Sequence, residues 1–224
     1  MDAKRRLFVG DLHGCLDELD GLLAKFAFRP GLDSLYSVGD VVGKGPRVPD
    51  TLRRLRALGA GVVLGNHDAF LVDAVHAPEA QRTRTQREYI DQLGTEAEDF
   101  AAYIGTWPLY IELADIILVH AGLEPGKKDP AAMRRRILLK IRTWDGIGEK
   151  LDRPGDPPWF ECVETDKTVI FGHWAQRGLI DLPRFKGLDT GCVYGGKLTG
   201  WCPEEDRFHQ VEAKRAYSTF LKPD

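Results

Sequence analysis

The stretch Val38-Gly39-Asp40-Val41-Val42-Gly43-Lys44-Gly45-Pro46 decides how the fold of this chain is interpreted. An apolar, β-branched run reaches a carboxylate, Asp40, and the chain then breaks into glycines. This order predicts a buried strand that delivers one aspartate to the edge of a sheet, followed by a tight loop. Gly-Asp pairs at strand ends are common, so the stretch alone does not establish a functional site.

The same order of residues recurs at four other places. Each is an apolar run that ends on side chains able to bind a metal ion: 11–13 (Asp-Leu-His), 66–68 (Asn-His-Asp), His120 and His173. A single histidine at a strand end is more often structural, but four of the six histidines fall in these positions. We therefore expect the five strand ends to converge on two metal ions, with Asp40 bridging them.

Composition bounds the class of protein. The chain has 224 residues, 43% of them apolar, and a net charge of −3. We expect a single domain over residues 1–224, with a basic insert near 124–158 and a loose C-terminal tail near 214–224. The net charge gives no overall attraction for nucleic acid or membranes, so neither a stable nucleic-acid partner nor a membrane is expected.

The apolar run behind the basic N-terminus is too short for a signal peptide, and no stretch is long enough to span a membrane. None of the four cysteines forms a Cys-x-x-Cys pair. The sequence therefore predicts a cytoplasmic protein with reduced thiols.

Apolar periodicity predicts alternating strands and helices in the first third of the chain. The expected strands are 7–9, 34–42 and 62–64, and the expected helices are 15–28 and 46–58. Short connections between them favour parallel strands covered by helices. Further along, the pattern predicts a hairpin over 110–120, a helix over 130–141, a strand over 168–171, a glycine-rich hairpin over 188–198 and a last strand over 207–213.

The candidate ligands combine carboxylate, imidazole and amide oxygen, a mixture that suits Mn²⁺, Fe, Zn²⁺ or Co²⁺ better than Mg²⁺ alone. They are Asp11, His13, Asp40, Asn66, His120 and His173. One ion would take the first three, and the other would take Asp40 with the last three. A shared carboxylate and a bridging water would hold the ions about 3.5–4 Å apart, as in two-metal phosphate hydrolysis.

Other residues near these motifs are candidates for catalysis and phosphate binding. His67 follows Asn66 directly and is assigned as the general acid for the leaving oxygen. Lys44 and Arg142 are assigned to phosphate oxygens, together with Asn66. Tyr194 is an additional candidate, with packing as its alternative role. The arginines at 134–136 are either a solvated helix face or a rim that attracts polyanionic substrates.

Taken together, the motifs resemble those of the calcineurin-like metallophosphoesterases, and more narrowly of the phosphoprotein phosphatase superfamily that includes symmetrical diadenosine tetraphosphatases. The motifs are Gly10-Asp11-Leu12-His13-Gly14, Gly39-Asp40-Val41-Val42-Gly43-Lys44-Gly45, Gly65-Asn66-His67-Asp68, His120-Ala121-Gly122 and Gly172-His173. The resemblance implies an α/β fold, a four-layer α/β/β/α sandwich. It also implies two divalent or trivalent metal ions, with Mn favoured and Fe, Zn, Co or Mg as alternatives. The implied reaction is hydrolysis of phosphoesters or phosphoanhydrides by metal-bound hydroxide.

One departure from the family pattern bears on substrate. Protein Ser/Thr phosphatases of the superfamily carry Asp-Arg where this chain has Gly43-Lys44, and that aspartate pairs with the general-acid histidine. A lysine at this place is typical of the diadenosine-tetraphosphatase-like group, and residues 189–199 resemble the C-terminal motif of the tetraphosphatases. The sequence leaves open what orients His67.

Three functions remain in competition. The favoured one is hydrolysis of phosphoanhydrides in nucleotide polyphosphates, such as symmetrical diadenosine tetraphosphate. The alternative is a protein Ser/Thr or dual-specificity phosphatase that acts on a phosphoprotein substrate, which Gly43-Lys44 disfavours. The third is a metal-bound scaffold or nucleotide sensor without turnover, which an intact ligand set with His67 makes the weakest of the three.

Overall fold

The structure is a computed structural model that describes residues 4–219, and strands and helices alternate along its first half. Its strands are β1 (Arg6–Val9), β2 (Ser34–Ser37), β3 (Gly61–Val62), β4 (Tyr110–Glu112), β5 (Ile116–Val119), β6 (Thr168–Phe171), β7 (Ile180–Asp181), β8 (Phe185–Gly187), β9 (Lys197–Cys202) and β10 (Arg207–Glu212). Its α-helices are α1 (Leu16–Phe26), α2 (Val48–Ala57), α3 (Asn66–His76), α4 (Arg84–Asp91), α5 (Ala97–Ile104) and α6 (Arg135–Lys140).

The strands form two mixed sheets. The first has the order β10-β9-β1-β2-β3, in which β1, β2 and β3 are parallel, as the sequence predicts. The second has the order β4-β5-β6-β8-β7, with β5, β6 and β8 parallel. Because β9 pairs antiparallel with β1, the C-terminal strands complete the sheet that the N-terminal strands begin.

Alternating side chains divide the core into three apolar layers. Phe8 of β1 points between the sheets, where it meets Leu118 of β5 and Ile170 of β6. Its neighbours on β1 point the other way and pack against α1 and α2. On the second sheet, Ile117 faces outward and packs with Trp159 and α6. Each central strand is therefore buried on both faces, one against the other sheet and one against helices, and the result is the predicted α/β/β/α sandwich.

Two expected elements differ from the structure. The second strand ends at Ser37 rather than at residue 42, because Gly39 (φ 90°) and Asp40 (φ 48°) adopt left-handed conformations that turn the chain out of the sheet. Residues 188–198 do not form a hairpin. The β8 strand belongs to the second sheet and β9 to the first, so the glycine-rich loop between them crosses from one sheet to the other.

The insert and the tail also differ in part from expectation. The expected helix over 130–141 is a 3-10 turn, Pro130–Ala132, followed by α6, since Met133 and Arg134 are extended between them. In the tail, Tyr217 donates a hydrogen bond to Glu18 of α1 (2.7 Å), which attaches this part of the chain to the domain. Residues 220–224 of the expected loose tail lie outside the described residues. Between residues 4 and 219, no helix is long and apolar enough to cross a membrane.

A buried carboxylate, Asp33, fastens the start of the first sheet to the end of α1. It accepts hydrogen bonds from Arg5 Nη2 (2.8 Å), and from the backbone N (2.9 Å) and Nη2 (2.8 Å) of Arg29. Its side chain is fully buried, and the hydrogen bonds from the Arg29 side chain are the main cause that holds the pKa of Asp33 well below its usual range.

We predict that Asp33→Asn lowers the free energy of unfolding at neutral pH by about 2 kcal/mol, because hydrogen bonds to a charged acceptor are lost. A depressed carboxyl pKa stabilises the fold fully above the unfolded-state value of about 4, and this contribution is lost progressively as pH falls from there toward the folded-state pKa. Urea denaturation from pH 7 to pH 3 would therefore show the difference between the two proteins narrowing in acid. The matched change Asp91→Asn, at an exposed position of α4, should have no measurable effect. A constant gap between Asp33→Asn and the unmutated protein across this pH range would contradict the prediction.

Candidate metal centre

The ends of β1, β2, β3, β5 and β6 meet at one edge of the sandwich, and the predicted site residues gather there. Nine of the ten line one cavity of about 110 Å³: Asp11, His13, Asp40, Lys44, Asn66, His67, Arg142, His173 and Tyr194. The tenth, His120, lies at the wall, with Nε2 3.0 Å from Asn66 Oδ1 and 3.5 Å from Asp40 Oδ1. The strand-end pattern therefore locates residues that are close in space.

Several site residues sit in strained backbone conformations. His13, Asp40, Lys44 and His173 all have positive φ, at 43°, 48°, 63° and 68°. Each such residue costs about 1–3 kcal/mol unless the surroundings compensate, and such conformations cluster at functional sites. The sharp turns they make let successive side chains face the cavity rather than the core.

Asp40 is the centre of the arrangement. Its Oδ1 accepts the backbone N–H of His67 (2.9 Å), while its Oδ2 lies 3.8 Å from His13 Nε2 and 3.9 Å from His67 Nε2. Burial alone would raise the pKa of Asp40, but the three surrounding imidazoles and the ammonium of Lys44 outweigh burial and hold it well below its usual range. The carboxylate is therefore ionised and available to a cation.

Two histidine rings are aimed at Asp40 by the backbone that carries it. His13 Nδ1 donates to the carbonyl of Val42 (2.9 Å), and His120 Nδ1 donates to the carbonyl of Val38 (2.8 Å). Each ring is thereby left with a lone pair on Nε2, which faces Asp40. A backbone carbonyl on the far nitrogen is the usual way in which a metal-binding histidine is fixed.

The donor atoms form two clusters that share Asp40. One contains His13, Asp40 and His67, the other Asp40, His120 and His173, and within each cluster the donor atoms lie within 4.8 Å of one another. Burial lowers the pKa of His13 to about 3, so its ring is neutral, the form that binds metals. Burial also lowers the pKa of His67, to about 4. The composition and burial of these donors fit a transition-metal cation.

The structure places Asp11 outside both donor clusters, next to the backbone of His173. Its carboxylate accepts the backbone N–H of His173 at 3.1 and 3.3 Å. Burial, followed by the charges of Asp189 and Asp40, raises its pKa well above the usual range. Carboxylates crowded together in a buried site repel one another, so a cation between them would relieve the repulsion.

Residues that the sequence did not single out support the site. Asp189 lines the cavity beside the predicted residues, and burial raises its pKa to about 6. Asp68 is fully buried; its Oδ1 accepts the N–H groups of Val41 (2.9 Å) and Val42 (3.1 Å), and its Oδ2 accepts that of Gly65 (3.0 Å). It thus ties the loop after β2 to the start of α3. Both aspartates lie inside quoted motifs, and that position is the signal that could have identified them.

The predicted phosphate-binding residues lie at the mouth of the cavity. Lys44 Nζ is 3.3 Å from His13 Nε2 and 5.2 Å from the centre of the Tyr194 ring. Arg142 pairs with Asp152 (2.5 Å) and donates to the carbonyl of His173 (3.4 Å). Both cations therefore have defined positions.

A wider groove of about 840 Å³ opens beside the cavity and shares Asn66, Arg142 and His173 with it. Three more cations of the predicted basic insert line this groove, Arg135, Arg136 and Lys140, together with the carboxylates of Glu149 and Asp152.

Comparison with known proteins agrees with this geometry. The family model of the calcineurin-like phosphoesterases matches residues 4–191. The chain belongs to the calcineurin-like phosphoesterase family. The family, the sandwich fold and the predicted class of activity, a metal-dependent phosphohydrolase, are therefore confirmed.

Similar proteins with known names share one name or a closely related one. A protein of Vibrio parahaemolyticus named symmetrical bis(5'-nucleosyl)-tetraphosphatase is 31% identical over 85% of this chain and 92% of its own length. One of Aromatoleum aromaticum with the same name is 30% identical over 95% and 98%. A crystal structure provisionally assigned as a diadenosine tetraphosphatase superposes with a TM-score of 0.79 and 31% identity, covering 94% of each chain.

The contacts of Asp68 predict a large effect of mutation on stability. Asp68→Ala leaves three buried N–H groups without an acceptor, so the free energy of unfolding should fall by about 3 kcal/mol or more. Asp68→Asn keeps one carbonyl oxygen and should lose less. Chemical denaturation measures both, and Asp73→Ala, at an exposed position of the same helix, serves as the control. If Asp68→Ala is no less stable than that control, these hydrogen bonds do not hold the loop in place.

Proposed function

We propose that this protein is a dinuclear-metal phosphohydrolase that cleaves phosphoanhydride bonds of nucleotide polyphosphates, such as symmetrical diadenosine tetraphosphate. The observation that carries the proposal is the continuity between the cavity and the basic groove. A phosphate at the cavity would place the next phosphates of a chain along Arg142, Arg135 and Arg136. Such a chain carries negative charge on several successive phosphates, whereas a phosphomonoester has only one phosphate. The name shared by the relatives points to the same substrate.

The donor set assigns roles to the candidate ligands. Asp40 would bridge two cations, with Asp11 and His13 completing one site. Asn66, His120 and His173 would complete the other. The mixed oxygen and nitrogen donors favour Mn, with Fe, Zn, Co or Mg as alternatives. When bound, the cations supply an activated water and neutralise charge on the phosphate under attack. Because both sheets contribute ligands, we also propose that the chain works as one domain.

The chain's own groups account for substrate binding. Lys44 lies beside His13 at the cavity wall, where its ammonium can donate to a non-bridging phosphate oxygen. Asn66 and Arg142 line the same cavity and would bind other oxygens of that phosphate. The Tyr194 ring lies next to the Lys44 ammonium and limits where it can move. These contacts fix the phosphate so that its leaving oxygen points to the remaining open wall.

His67 occupies that wall. Its Nε2 faces the cavity, since its Nδ1 is engaged by another side chain, and its backbone N–H is bound to Asp40. The ring is therefore placed to donate a proton to the leaving oxygen as a general acid. This role leaves Asp11 rather than His67 as the ligand for the first cation, even though His67 lies within the first cluster.

The substrate proposal is tested by offering the Mn²⁺-loaded protein diadenosine tetraphosphate, p-nitrophenyl phosphate and a panel of phosphopeptides. We expect the tetraphosphate to be the best substrate. Replacing Arg135 and Arg136 together by Ala should raise KM for the tetraphosphate at least several-fold while leaving p-nitrophenyl phosphate unaffected, because only the longer substrate reaches the groove. Replacing Lys127 and Lys128, which lie on a different part of the insert, is the matched control. Cleavage of phosphopeptides alone would overturn the proposal in favour of a protein phosphatase.

The division of labour between ligand and acid predicts two distinct phenotypes. Asp40→Ala should abolish metal loading and activity together, because both cations lose their shared ligand. His67→Asn should keep both metals but lower kcat by about 10²–10⁴-fold, as expected for loss of a general acid. Metal analysis by mass spectrometry alongside kinetics separates the two. A His67→Asn protein that has lost its metals would make His67 a ligand and contradict the assignment.

A further inference from the structure

A general acid must present one ring nitrogen to the leaving group, so its other nitrogen needs a partner that fixes the ring. In this structure the partner of His67 Nδ1 is the hydroxyl of Tyr89, a residue of α4 that is distant in the sequence. The two rings are nearly parallel, with planes 8° apart and centres 6.0 Å apart. Phe70 packs edge-on against Tyr89, with ring centres 5.2 Å apart, and holds it in place.

The position of Tyr89 depends on the absence of a side chain at Gly43. A Cβ at position 43 would lie 2.5 Å from the Tyr89 hydroxyl oxygen and 2.6 Å from its Cζ. These distances are too short for non-bonded atoms, so residue 43 cannot carry a side chain while Tyr89 keeps this position. Any side chain that starts at residue 43 would instead enter the space beside His67 Nδ1 that Tyr89 now fills.

We propose that Tyr89 is the positioning residue for His67 and that the pair Gly43 and Tyr89 replaces a carboxylate partner with a phenol. The inference rests on the general-acid role proposed for His67. It answers what orients that ring, because the partner of its Nδ1 comes from α4 and not from the loop after Asp40.

The replacement has a chemical consequence. A phenol hydroxyl can accept from Nδ1–H of the imidazolium, the form that protonates a leaving oxygen through Nε2, and it can also donate to Nδ1 of a ring that is protonated only on Nε2. A carboxylate can only accept, and it would stabilise a charged ring much more strongly. Burial raises the pKa of Tyr89 above its usual value, which keeps the hydroxyl protonated.

Tyr89 therefore orients His67 but stabilises its protonated, imidazolium form less than a carboxylate would. Such an acid suits leaving groups that are stable anions, such as the phosphates released from a phosphoanhydride. It is less suited to the alkoxide released from a phosphoserine. The Tyr89 contact thus favours phosphoanhydrides as the substrate class within the proposed function.

The first test compares Tyr89→Phe with Tyr103→Phe, a matched change at a partly buried tyrosine that packs on Trp107. Rates are measured on phenyl phosphate and on p-nitrophenyl phosphate, which has the better leaving group. We expect Tyr89→Phe to lower kcat by about tenfold on phenyl phosphate and by less on p-nitrophenyl phosphate, with KM and metal content unchanged. Equal losses on both substrates, or no loss on either, would overturn the proposal.

A second readout does not depend on turnover. In the Zn²⁺-loaded protein with ¹⁵N-labelled histidine, Tyr89→Phe should shift the Nδ1 signal of His67 and leave those of His76 and His209 in place. An unmoved His67 signal would show that the hydroxyl does not hold the ring.

The third test is a rescue. In Tyr89→Ala the space beside Gly43 is open, and Gly43→Asp added to it should bring a carboxylate to Nδ1. We expect this double variant to regain activity on phenyl phosphate and to exceed the unmutated protein in its ratio of rates on phenyl and p-nitrophenyl phosphate. A folded, metal-loaded double variant no better than Tyr89→Ala would count against the proposal.

These outcomes are separable from failure of the proposed function. If the unmutated protein cleaves aryl phosphates but not diadenosine tetraphosphate, the substrate proposal fails while the role of Tyr89 can still be measured. If His67→Asn costs nothing, the general-acid role fails, and the role of Tyr89 fails with it.

Discussion

The arrangement around the Asp40 carboxylate is the constraint on which the rest of the structure depends. Asp40 is 2% exposed, and its charge acts on the buried carboxylates of Asp11, Asp68 and Asp189. Gathering like charges away from water costs several kcal/mol unless they are paired, hydrogen-bonded or neutralised. The chain supplies backbone N–H groups and imidazoles for this purpose, and the remaining demand is for cations. The fold and the metal chemistry are therefore linked, because the fold that brings these carboxylates together is destabilised by their repulsion unless cations bind.

Rigidity around Asp40 comes from contacts that lie on both sides of it. The carbonyls of Val38 and Val42 orient His120 and His13. Asp68 accepts hydrogen bonds from the backbone N–H groups of Val41 and Val42. The loop is thus fixed by α3, by the first sheet and by a histidine from the second sheet. A site assembled from both sheets requires that the sandwich be formed before the donors can meet. Such pre-organisation keeps the donors in place without a large entropy loss on binding.

The sequence was sufficient for those features that have a local signal. Apolar runs that end on Asp11, Asp40 and His173 predicted the convergence of the strand ends, because parallel strands deliver their ends to one edge. The four-layer sandwich was implied by the resemblance to the family. The predicted length of the second strand and the predicted hairpin over residues 188–198 were wrong, and both errors have one cause. Backbone turns and a crossing between sheets are decided by contacts with distant elements, which an apolar pattern does not contain. For the same reason the three backbone contacts of Asp68 could not be derived from its motif.

The glycine at position 43 shows why such a limit matters for function. In the sequence, a glycine after a metal-binding aspartate indicates only a flexible turn, and the loss of a carboxylate there suggests a weakened acid. In the structure, Gly43 has a specific spatial role, because the space that its side chain would fill belongs to Tyr89. The partner of His67 has not been lost; it comes from α4. Because the two positions are 46 residues apart, neither residue reveals the exchange by itself. The exchange also changes the chemistry, since a neutral phenol orients an imidazole without the negative charge that would stabilise its protonated form. The loop that we propose binds metal through Asp40 thus also sets the leaving-group preference, because Gly43 leaves the space beside His67 to Tyr89.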